Sequence, residues 1–380
     1  MRKTLLYFSA VMLFLISCAG TKRESVPVTR EDNIPLQETK SPWVQNPRKL
    51  EEELVMKIHI DQVYKGRRLI QEKRKSPDFM KSYPALYVWC PEPVNNSRQK
   101  VESVHYSLPP AFTYEDEQGN RISFWNLTSR LPSSGSDVIE LRRTISMTRY
   151  ETEFDIDPEE AEGYDEESFL FQRYTKSEPG VEITDDIRRK AEEIVGSEKN
   201  PWKKARLIFR WVVENLEYHY PPEKRGAKYV FDTRRGDCGE YAYLFCALCR
   251  AVDAPARFVS GLWFRENPGY HAWAEFYLPP FGWIPADPSL ADSDDAPINW
   301  YYFGGMENHR ATMSRGNNLP IKGAPDWVMQ HNEEIRGGET PFMQFSTLAS
   351  FAVDYRVEKE FRLIRDEPVK EEADEWTSFR

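Results

Sequence analysis

The stretch Gly236-Asp237-Cys238-Gly239-Glu240 leads into an apolar run over 241–252. Asp237 is a good N-cap residue, and Glu240, three residues later, can reach back as in a capping box, so a helix is predicted to begin here. Cys238 then lies in the first turn, where the helix dipole stabilises the negative charge of a thiolate. The flanking glycines leave space for a substrate to reach the sulfur. Cys238 is therefore a candidate nucleophile.

The other cysteines of this region do not indicate a second site. Cys246-x-x-Cys249 could be a redox or zinc motif, but it lies inside the apolar helical run, where buried cysteines act as small core residues. Three of the four cysteines that follow residue 18 lie within 12 residues of each other, which is not the spacing of a disulfide framework. We interpret Cys246 and Cys249 as core residues.

A predicted β-hairpin lies downstream of this helix. Residues 271–278 have the two-residue period of a strand, and 283–287 form a second strand. Gly282 follows a double proline and marks the turn between them. Two strands joined by so short a turn are expected to pair antiparallel.

The hairpin brings a histidine and an aspartate together. With Tyr277 opposite Trp283, Asp287 lies opposite Trp273 and one diagonal step from His271 on the same face. A carboxylate there can accept a hydrogen bond from one ring nitrogen and leave the other facing the thiol, as in a nucleophile–base–acid triad. A slip of one residue would turn Asp287 to the other face, so the register is a test of the triad.

These three blocks, in this order and spacing, resemble those of bacterial transglutaminase-like proteins. The segment 302–310 is similar to the segment that follows them in the family. The resemblance covers about 185 to 315. It implies an α+β, papain-like core in which a helix carrying Cys238 packs on an antiparallel sheet carrying His271 and Asp287.

The resemblance also implies an activity. Cys238 would be the nucleophile of covalent acyl transfer, His271 the base and Asp287 the orienting acid. Family members include cross-linking enzymes, peptidases and amidases, and the sequence does not choose among them. The backbone N–H of Cys238 is the expected oxyanion donor, with the Tyr218 hydroxyl as a candidate for a second.

Three tryptophans near the predicted site could wall a substrate groove. They are Trp263, Trp273 and Trp283. Large aromatic side chains also dominate protein cores, so packing is the alternative for each of them and for Tyr218.

The rest of the chain divides by its periodicity. The alternating pattern of 101–108 and a hairpin with strands at 111–114 and 121–125 predict a β-rich, sandwich-like domain over 48–182. Helical spacing begins at Ile183, and Pro201 opens a second helix. We therefore predict a catalytic domain over 183–315 and a C-terminal extension over 316–380, in which 361–364 could be a strand.

The N-terminus has the pattern of an export signal. Two basic residues precede an apolar run over 4–16, which is too short to span a bilayer as a mature helix. The run ends at Ser17-Cys18, which resembles a bacterial lipobox and predicts a signal peptide over 1–17 with lipidation of Cys18. The alternative is an ordinary signal peptide with a chance cysteine. Residues 18–47 would then be a flexible tether, and Ala19 in place of aspartate favours the outer membrane.

Charge and location limit the partners. The formal net charge of −10 disfavours nucleic acid. A lipid-anchored exported enzyme would meet envelope proteins and peptidoglycan peptides, so we expect thiol-dependent transfer or hydrolysis at their peptide or amide bonds. The alternative is a non-catalytic, peptide-binding or scaffolding lipoprotein with the same fold. The oligomeric state stays open.

No cofactor is expected. The acidic stretch 292–295 could bind calcium, as some transglutaminases do, but its spacing does not match an EF-hand loop, and a solvated acidic loop is the preferred interpretation. The sequence also contains no phosphate loop, zinc signature or dinucleotide fingerprint.

Overall fold

The computed structural model describes residues 43–64, 83–133, 135–265, 267–292, 297–329, 339–340, 346–350 and 352–369. The predicted signal peptide and the lipidation of Cys18 lie outside these residues. Of the predicted tether, only 43–47 are described, and they belong to the first strand. Within the described residues, no helix has both the length and the apolar character needed to cross a membrane.

The described strands are β1 (Trp43–Val63), β2 (Leu86–Glu92), β3 (Gln99–Tyr106), β4 (Phe112–Glu115), β5 (Arg121–Asn126), β6 (Asp137–Glu153), β7 (Glu217–Tyr218), β8 (Arg235–Gly236), β9 (Ala256–Trp263), β10 (Gly269–Leu278), β11 (Gly282–Ala286), β12 (Gly305–Met306), β13 (Arg310–Arg315), β14 (Leu319–Pro320), β15 (Glu339–Thr340), β16 (Ser346–Ala349) and β17 (Val353–Pro368). The described α-helices are α1 (Phe169–Tyr174), α2 (Asp185–Val195), α3 (Pro201–Asn215), α4 (Ala227–Thr233), α5 (Cys238–Ala251), α6 (Pro288–Ala291) and α7 (Asp326–Met329).

Two antiparallel sheets form the β-rich part. The first has the order β12-β6-β1-β17, with β3 also paired to β6, and the second has the order β16-β2-β5-β4. They pack together through an apolar core that includes Leu54, Ile58, Val88 and Trp125. The hairpin predicted from its turn is confirmed, because β4 and β5 pair antiparallel.

The α+β part is built around one buried helix. Every residue of α5 from Gly239 to Ala251 is buried. Since a helix with apolar residues on every face belongs in the middle of a core, the burial of α5 is expected from its sequence. Helices α2 and α3, whose N-caps are Thr184 and Asn200, contribute to the same core. So does strand β10, and its sheet has the order β11-β10-β9-β13. The predicted α+β class, with a helix packed on an antiparallel sheet, is confirmed.

The last strands join the sheets of the β-rich part. Strand β17 pairs with β1 over nearly its whole length, from Arg48 opposite Pro368 to Val63 opposite Val353. Strand β16 pairs with β2. The predicted strand at 361–364 is confirmed as part of β17. The division into domains stays a prediction, but strand pairing connects its first and last segments.

Candidate active site

The cysteine lies where the sequence predicts it, at the start of helix α5. Asp237 is the N-cap, and its side chain accepts a hydrogen bond from the backbone N–H of Gly239 at 2.8 Å. Cys238 is partly exposed, whereas Cys246 and Cys249 are fully buried in the core. The predicted cap and the core positions of the two deeper cysteines are therefore confirmed.

The two glycines beside the cysteine do not leave space for a substrate, contrary to our expectation. A Cβ atom at Gly236 would lie 2.3 Å from the Cβ of Glu240. A Cβ atom at Gly239 would lie 3.1 Å from both Arg225 Nη1 and Asp237 Oδ1. The space is filled by the chain's own polar side chains, because these fold back over the first turn of α5.

The predicted register of the hairpin is confirmed. Strands β10 and β11 pair with Tyr277 opposite Trp283 and with Ala274 opposite Ala286. The second strand ends at Ala286, one residue earlier than predicted, and Asp287 becomes the N-cap of α6. Its Oδ1 accepts hydrogen bonds from Leu290 N at 3.1 Å and Ser289 Oγ at 2.7 Å.

His271 connects the acid to the thiol. Its Nε2 lies 2.6 Å from Asp287 Oδ2, and the side chain of Cys238 lies beside the same ring. Asp287 is only 2% exposed. The structure thus brings together the three residues that the sequence places 33 and 16 positions apart.

The charges of this group reinforce each other. Burial would lower the pKa of His271, but the negative charges of Asp287 and Cys238 outweigh it and raise the pKa to about 10. Burial would raise the pKa of Asp287, but His271 and Arg310 outweigh it and lower the pKa to about 2. At neutral pH the site therefore holds an imidazolium beside a carboxylate.

A fourth residue, Arg310, takes part in the site and was not predicted. It is fully buried, its Nη1 donates to Asp287 Oδ2, and its Nη2 donates to Glu307 Oε2 at 2.8 Å. Its guanidinium also lies over the ring of Trp273 at 5.2 Å. The sequence signal was the position of Arg310 at the end of the segment that resembles the family, but nothing there indicated its partner.

The predicted aromatic wall is only partly present. Trp273 is fully buried beside Val259 and Met306, and a Cβ at Gly261 would lie 2.4 Å from its ring. Trp273 therefore packs behind His271 and does not line a groove, which corrects the prediction for this residue. Trp283 stacks on Arg257, with 3.8 Å between the guanidinium and the ring centroid.

Two aromatic residues remain at the surface near the triad. Trp263 is partly exposed and makes an edge contact with the His271 ring at 5.4 Å between centroids. Tyr218 is 53% exposed and packs against Tyr241 at 6.3 Å. Burial, followed by the charges of Cys238 and Asp237, raises the pKa of Tyr218 to about 12, so its hydroxyl stays protonated and can donate.

The acidic stretch considered for calcium is described only at Asp292, since 293–296 lie outside the described residues. Asp292 Oδ2 accepts a hydrogen bond from the Tyr241 hydroxyl at 2.5 Å. Among the residues that the structure describes, no group of three or more His, Cys, Asp or Glu side chains is arranged to hold a metal ion. Calcium binding at 292–295 stays the less favoured of the two interpretations.

The comparison with protein families agrees with this geometry. The family model described as the transglutaminase-like superfamily matches residues 188–288, which include all three triad positions. These residues form a transglutaminase-like domain. A protein-glutamine gamma-glutamyltransferase from Pseudomonas aeruginosa is 35% identical in an alignment 100 positions long that covers 22% of this chain and 15% of that protein.

Two longer similarities extend beyond this domain. An uncharacterized protein from Haemophilus influenzae is 25% identical in an alignment 291 positions long that covers 64% of this chain and 78% of the relative. A solved structure of a candidate cysteine protease from Cytophaga hutchinsonii has a TM-score of 0.55 and 15% identity. The alignment covers 85% of this chain and 93% of that one. At this identity the likeness concerns the fold alone.

Proposed function

We propose that the chain catalyses thiol-dependent acyl transfer or hydrolysis at peptide or amide bonds, with Cys238 as nucleophile, His271 as base and Asp287 as orienting acid. One observation supports the proposal above all others. A single imidazole that is hydrogen-bonded to a buried carboxylate lies beside a thiol in the first turn of a helix. This is the arrangement that activates a cysteine nucleophile.

In the first step the Cys238 thiolate attacks the carbonyl carbon of the substrate and forms a carbon–sulfur bond. The developing oxyanion accepts a hydrogen bond from the backbone N–H of Cys238 and one from the Tyr218 hydroxyl. His271 gives its proton to the leaving nitrogen, and the carbon–nitrogen bond breaks. The products of this step are a free amine and a thioester on Cys238.

In the second step an amine or water attacks the thioester. His271 accepts the proton of the attacking group, the carbon–sulfur bond breaks, and the thiolate returns. Asp287 remains ionised throughout, because its pKa of about 2 is far below neutral pH. It keeps the ring of His271 oriented and stabilises the imidazolium that is present before the first step and forms again in the second.

The substrates we propose are proteins or peptidoglycan peptides of the bacterial envelope. The predicted export signal and the predicted lipidation of Cys18 support this choice, because together they would hold the protein at the membrane, in our proposal the outer membrane. The test is fractionation: full-length protein should sediment with membranes, and Cys18→Ala should release it to the soluble fraction. Equal release of both forms would contradict lipid anchoring.

The triad is tested by labelling with a thiol-directed acyl electrophile, followed by mass measurement of the intact protein. Cys238 should be acylated much faster than a free thiol, and His271→Ala should abolish the difference. Among the described cysteines, the three apart from Cys238 are buried, so the label reports mainly on the candidate nucleophile. Labelling at the rate of a free thiol would contradict the proposed catalytic activity. It would favour the alternative of a non-catalytic, peptide-binding or scaffolding protein.

The substrate is tested separately with envelope extracts. Incubation with the wild-type protein should produce cut or joined peptides that mass spectrometry detects, and the Cys238→Ala form should produce none. Loss of a peptide with gain of two fragments indicates hydrolysis, and an added mass on a side-chain amide indicates transfer. Identical extracts would contradict an envelope peptide as substrate.

A further inference from the structure

We propose that Arg225 is a positioning residue for the nucleophile: its guanidinium ties the loop before α4 to the first turn of α5 and thereby sets the reactivity of Cys238. The catalytic consequence rests on the proposed function, whereas the effect on the thiol can be measured without any substrate. The residues of this clamp are Arg225, Asp237 and Glu240.

One nitrogen of Arg225 joins both acids of the clamp. Its Nη1 donates to Asp237 Oδ1 at 2.8 Å and to Glu240 Oε2 at 2.9 Å. The same Oδ1 accepts the N–H of Gly239, so the N-cap bond and the clamp share an atom. Moving the guanidinium would therefore move the cap of the turn that carries Cys238.

The burial of the three groups is unequal. Asp237 and Glu240 are almost completely buried, whereas 41% of the Arg225 side chain is exposed. Buried acids without a cation are strongly destabilising, so the turn depends on this one partner from another segment. The glycines at 236 and 239 leave room for the clamp, because a Cβ at either position would collide with its side chains or crowd them.

The clamp also holds the loop between β7 and α4, which begins beside the residues that precede the nucleophile. Arg225 follows a segment in which Tyr218 and Tyr220 are both exposed. The start of this segment is paired to the residues before Cys238, through Tyr218 opposite Gly236 and a bond from His219 N to Gly236 O at 2.8 Å. Arg225 fixes its other end, so the candidate oxyanion donor and the thiol are held together.

The charge of the clamp changes with pH. Burial, followed by Asp237, raises the pKa of Glu240 to about 8. Burial would raise the pKa of Asp237, but its hydrogen bonds with Glu240 and Arg225 outweigh it and lower the pKa. Other titratable groups that face the cluster are Tyr243, Glu182 and Tyr218. The clamp is neutral below about pH 8 and gains a negative charge above it, close to where the oxyanion would form.

The test compares Arg225→Gln, Arg225→Lys and Glu240→Gln with the wild-type full chain between pH 6 and pH 10. Two rates are measured by intact mass: alkylation of Cys238 by iodoacetamide and its acylation by a thiol-directed acyl electrophile. Arg225→Gln should slow acylation about 10- to 100-fold, since small displacements of reacting groups have effects of this size, and Arg225→Lys should recover part of the loss. The acylation rate of the wild type should fall above pH 8, where Glu240 loses its proton. Glu240→Gln should have the wild-type rate at pH 7 and should not show this fall.

The control is Arg121→Gln, which removes another half-exposed arginine with a carboxylate partner, Glu92 at 2.6 Å, in strand β5 of the β-rich part. A folded Arg225→Gln protein that reacts like Arg121→Gln in both assays would overturn the proposal. If Arg225→Gln does not fold, a Glu240→Gln profile identical to the wild type would overturn it. If wild-type Cys238 is alkylated by iodoacetamide but not acylated by the electrophile, the proposed function fails. The ratio of the alkylation rates of Arg225→Gln and the wild type then still tests whether the clamp positions Cys238.

Discussion

Asp287 accepts hydrogen bonds from two cations, His271 and Arg310, on the same oxygen. Asp287→Asn should therefore lower the acylation rate of Cys238 by about three to four orders of magnitude, because an amide cannot stabilise the imidazolium and favours the wrong tautomer. The burst of acyl-enzyme measures this rate. The matched control is Ser289→Ala, which removes only the 2.7 Å bond to the other oxygen and should change the rate little. Equal losses in both variants would indicate a structural effect rather than a loss of the orienting charge.

Arg310 donates hydrogen bonds to two buried carboxyl groups, those of Asp287 and Glu307. Arg310→Met leaves Asp287 and Glu307 without their shared cation, so the free energy of unfolding should fall by about 3–5 kcal/mol. The control Arg142→Met removes exposed pairs with Glu140 and Glu53 and should change the free energy of unfolding far less. Urea unfolding at pH 7 measures both. Similar small losses would mean that Arg310 is dispensable.

The same variant has a defined pH dependence. The folded pKa of Asp287, about 2, lies below its ordinary value of 3.8, so the group contributes stability above pH 4 that is lost as pH falls toward 2. Removing Arg310 takes away one of the charges that lower this pKa. The part of the stability that is lost between pH 4 and pH 2 should then be smaller in Arg310→Met than in the wild type, which urea titrations between pH 2 and pH 6 would detect. An equal loss of unfolding free energy in both proteins between pH 4 and pH 2 would contradict this electrostatic role of Arg310.

At the scale of strands, Glu275 joins the β-rich part to the sheet of the candidate site. This buried residue of β10 bonds Arg98 at 2.8 Å and Arg257 at 2.8 Å. Burial would raise its pKa, but these arginines outweigh it and lower the pKa to about 2. Glu275→Gln should lower the free energy of unfolding by about 3–5 kcal/mol, because two arginines lose their counter-charge.

The sign of the pH effect at Glu275 follows from the lowered pKa. The residue contributes stability above its unfolded pKa of 4.5, and this contribution is lost as pH falls toward 2. The difference between the wild type and Glu275→Gln in urea unfolding should therefore be full at pH 6 and shrink below pH 4. Glu140→Gln, on an exposed ion pair, is the control and should show no such convergence. A constant difference at all pH values would assign the loss to packing instead.

The hairpin shows what the sequence could predict. Its register depends on the two-residue period of side chains and on one turn, both of which are local, so the diagonal placement of His271 and Asp287 could be worked out in advance. The role of Arg310 could not. It lies on β13, which pairs with β9 and not with the hairpin, and that pairing has no local signal. Alternation places Trp273 on the same side as His271, which favours a position in the groove. Its burial depends on Met306 from a distant strand, which the local sequence does not indicate.

On the scale of the whole molecule, the ends of the described chain meet in one sheet. Strand β1 lies between β6 and β17, and β17 follows it by about 300 positions. A pairing at this separation leaves no trace in local periodicity, so the sequence suggested a strand at 361–364 but not its partner. Phe361 of β17 also makes an edge contact with Tyr270, next to His271, at 4.9 Å. The last strand thus reaches the sheet that carries the candidate base.

Ending the chain at Ser350 should therefore destabilise the catalytic part as well as the β-rich part. Strand β1 would lose the backbone partners of one edge, and buried Val353 and the partly buried Phe361 would leave the core. We expect rapid proteolysis of the truncated protein and slower acylation of Cys238. Adding a peptide of residues 353–369 should restore part of the resistance to proteolysis and part of the acylation rate, because an extended segment can complete an open sheet edge. A truncated chain with the urea midpoint and acylation rate of the full protein would show that β17 is only an attachment, and that the site does not depend on the sheet it completes.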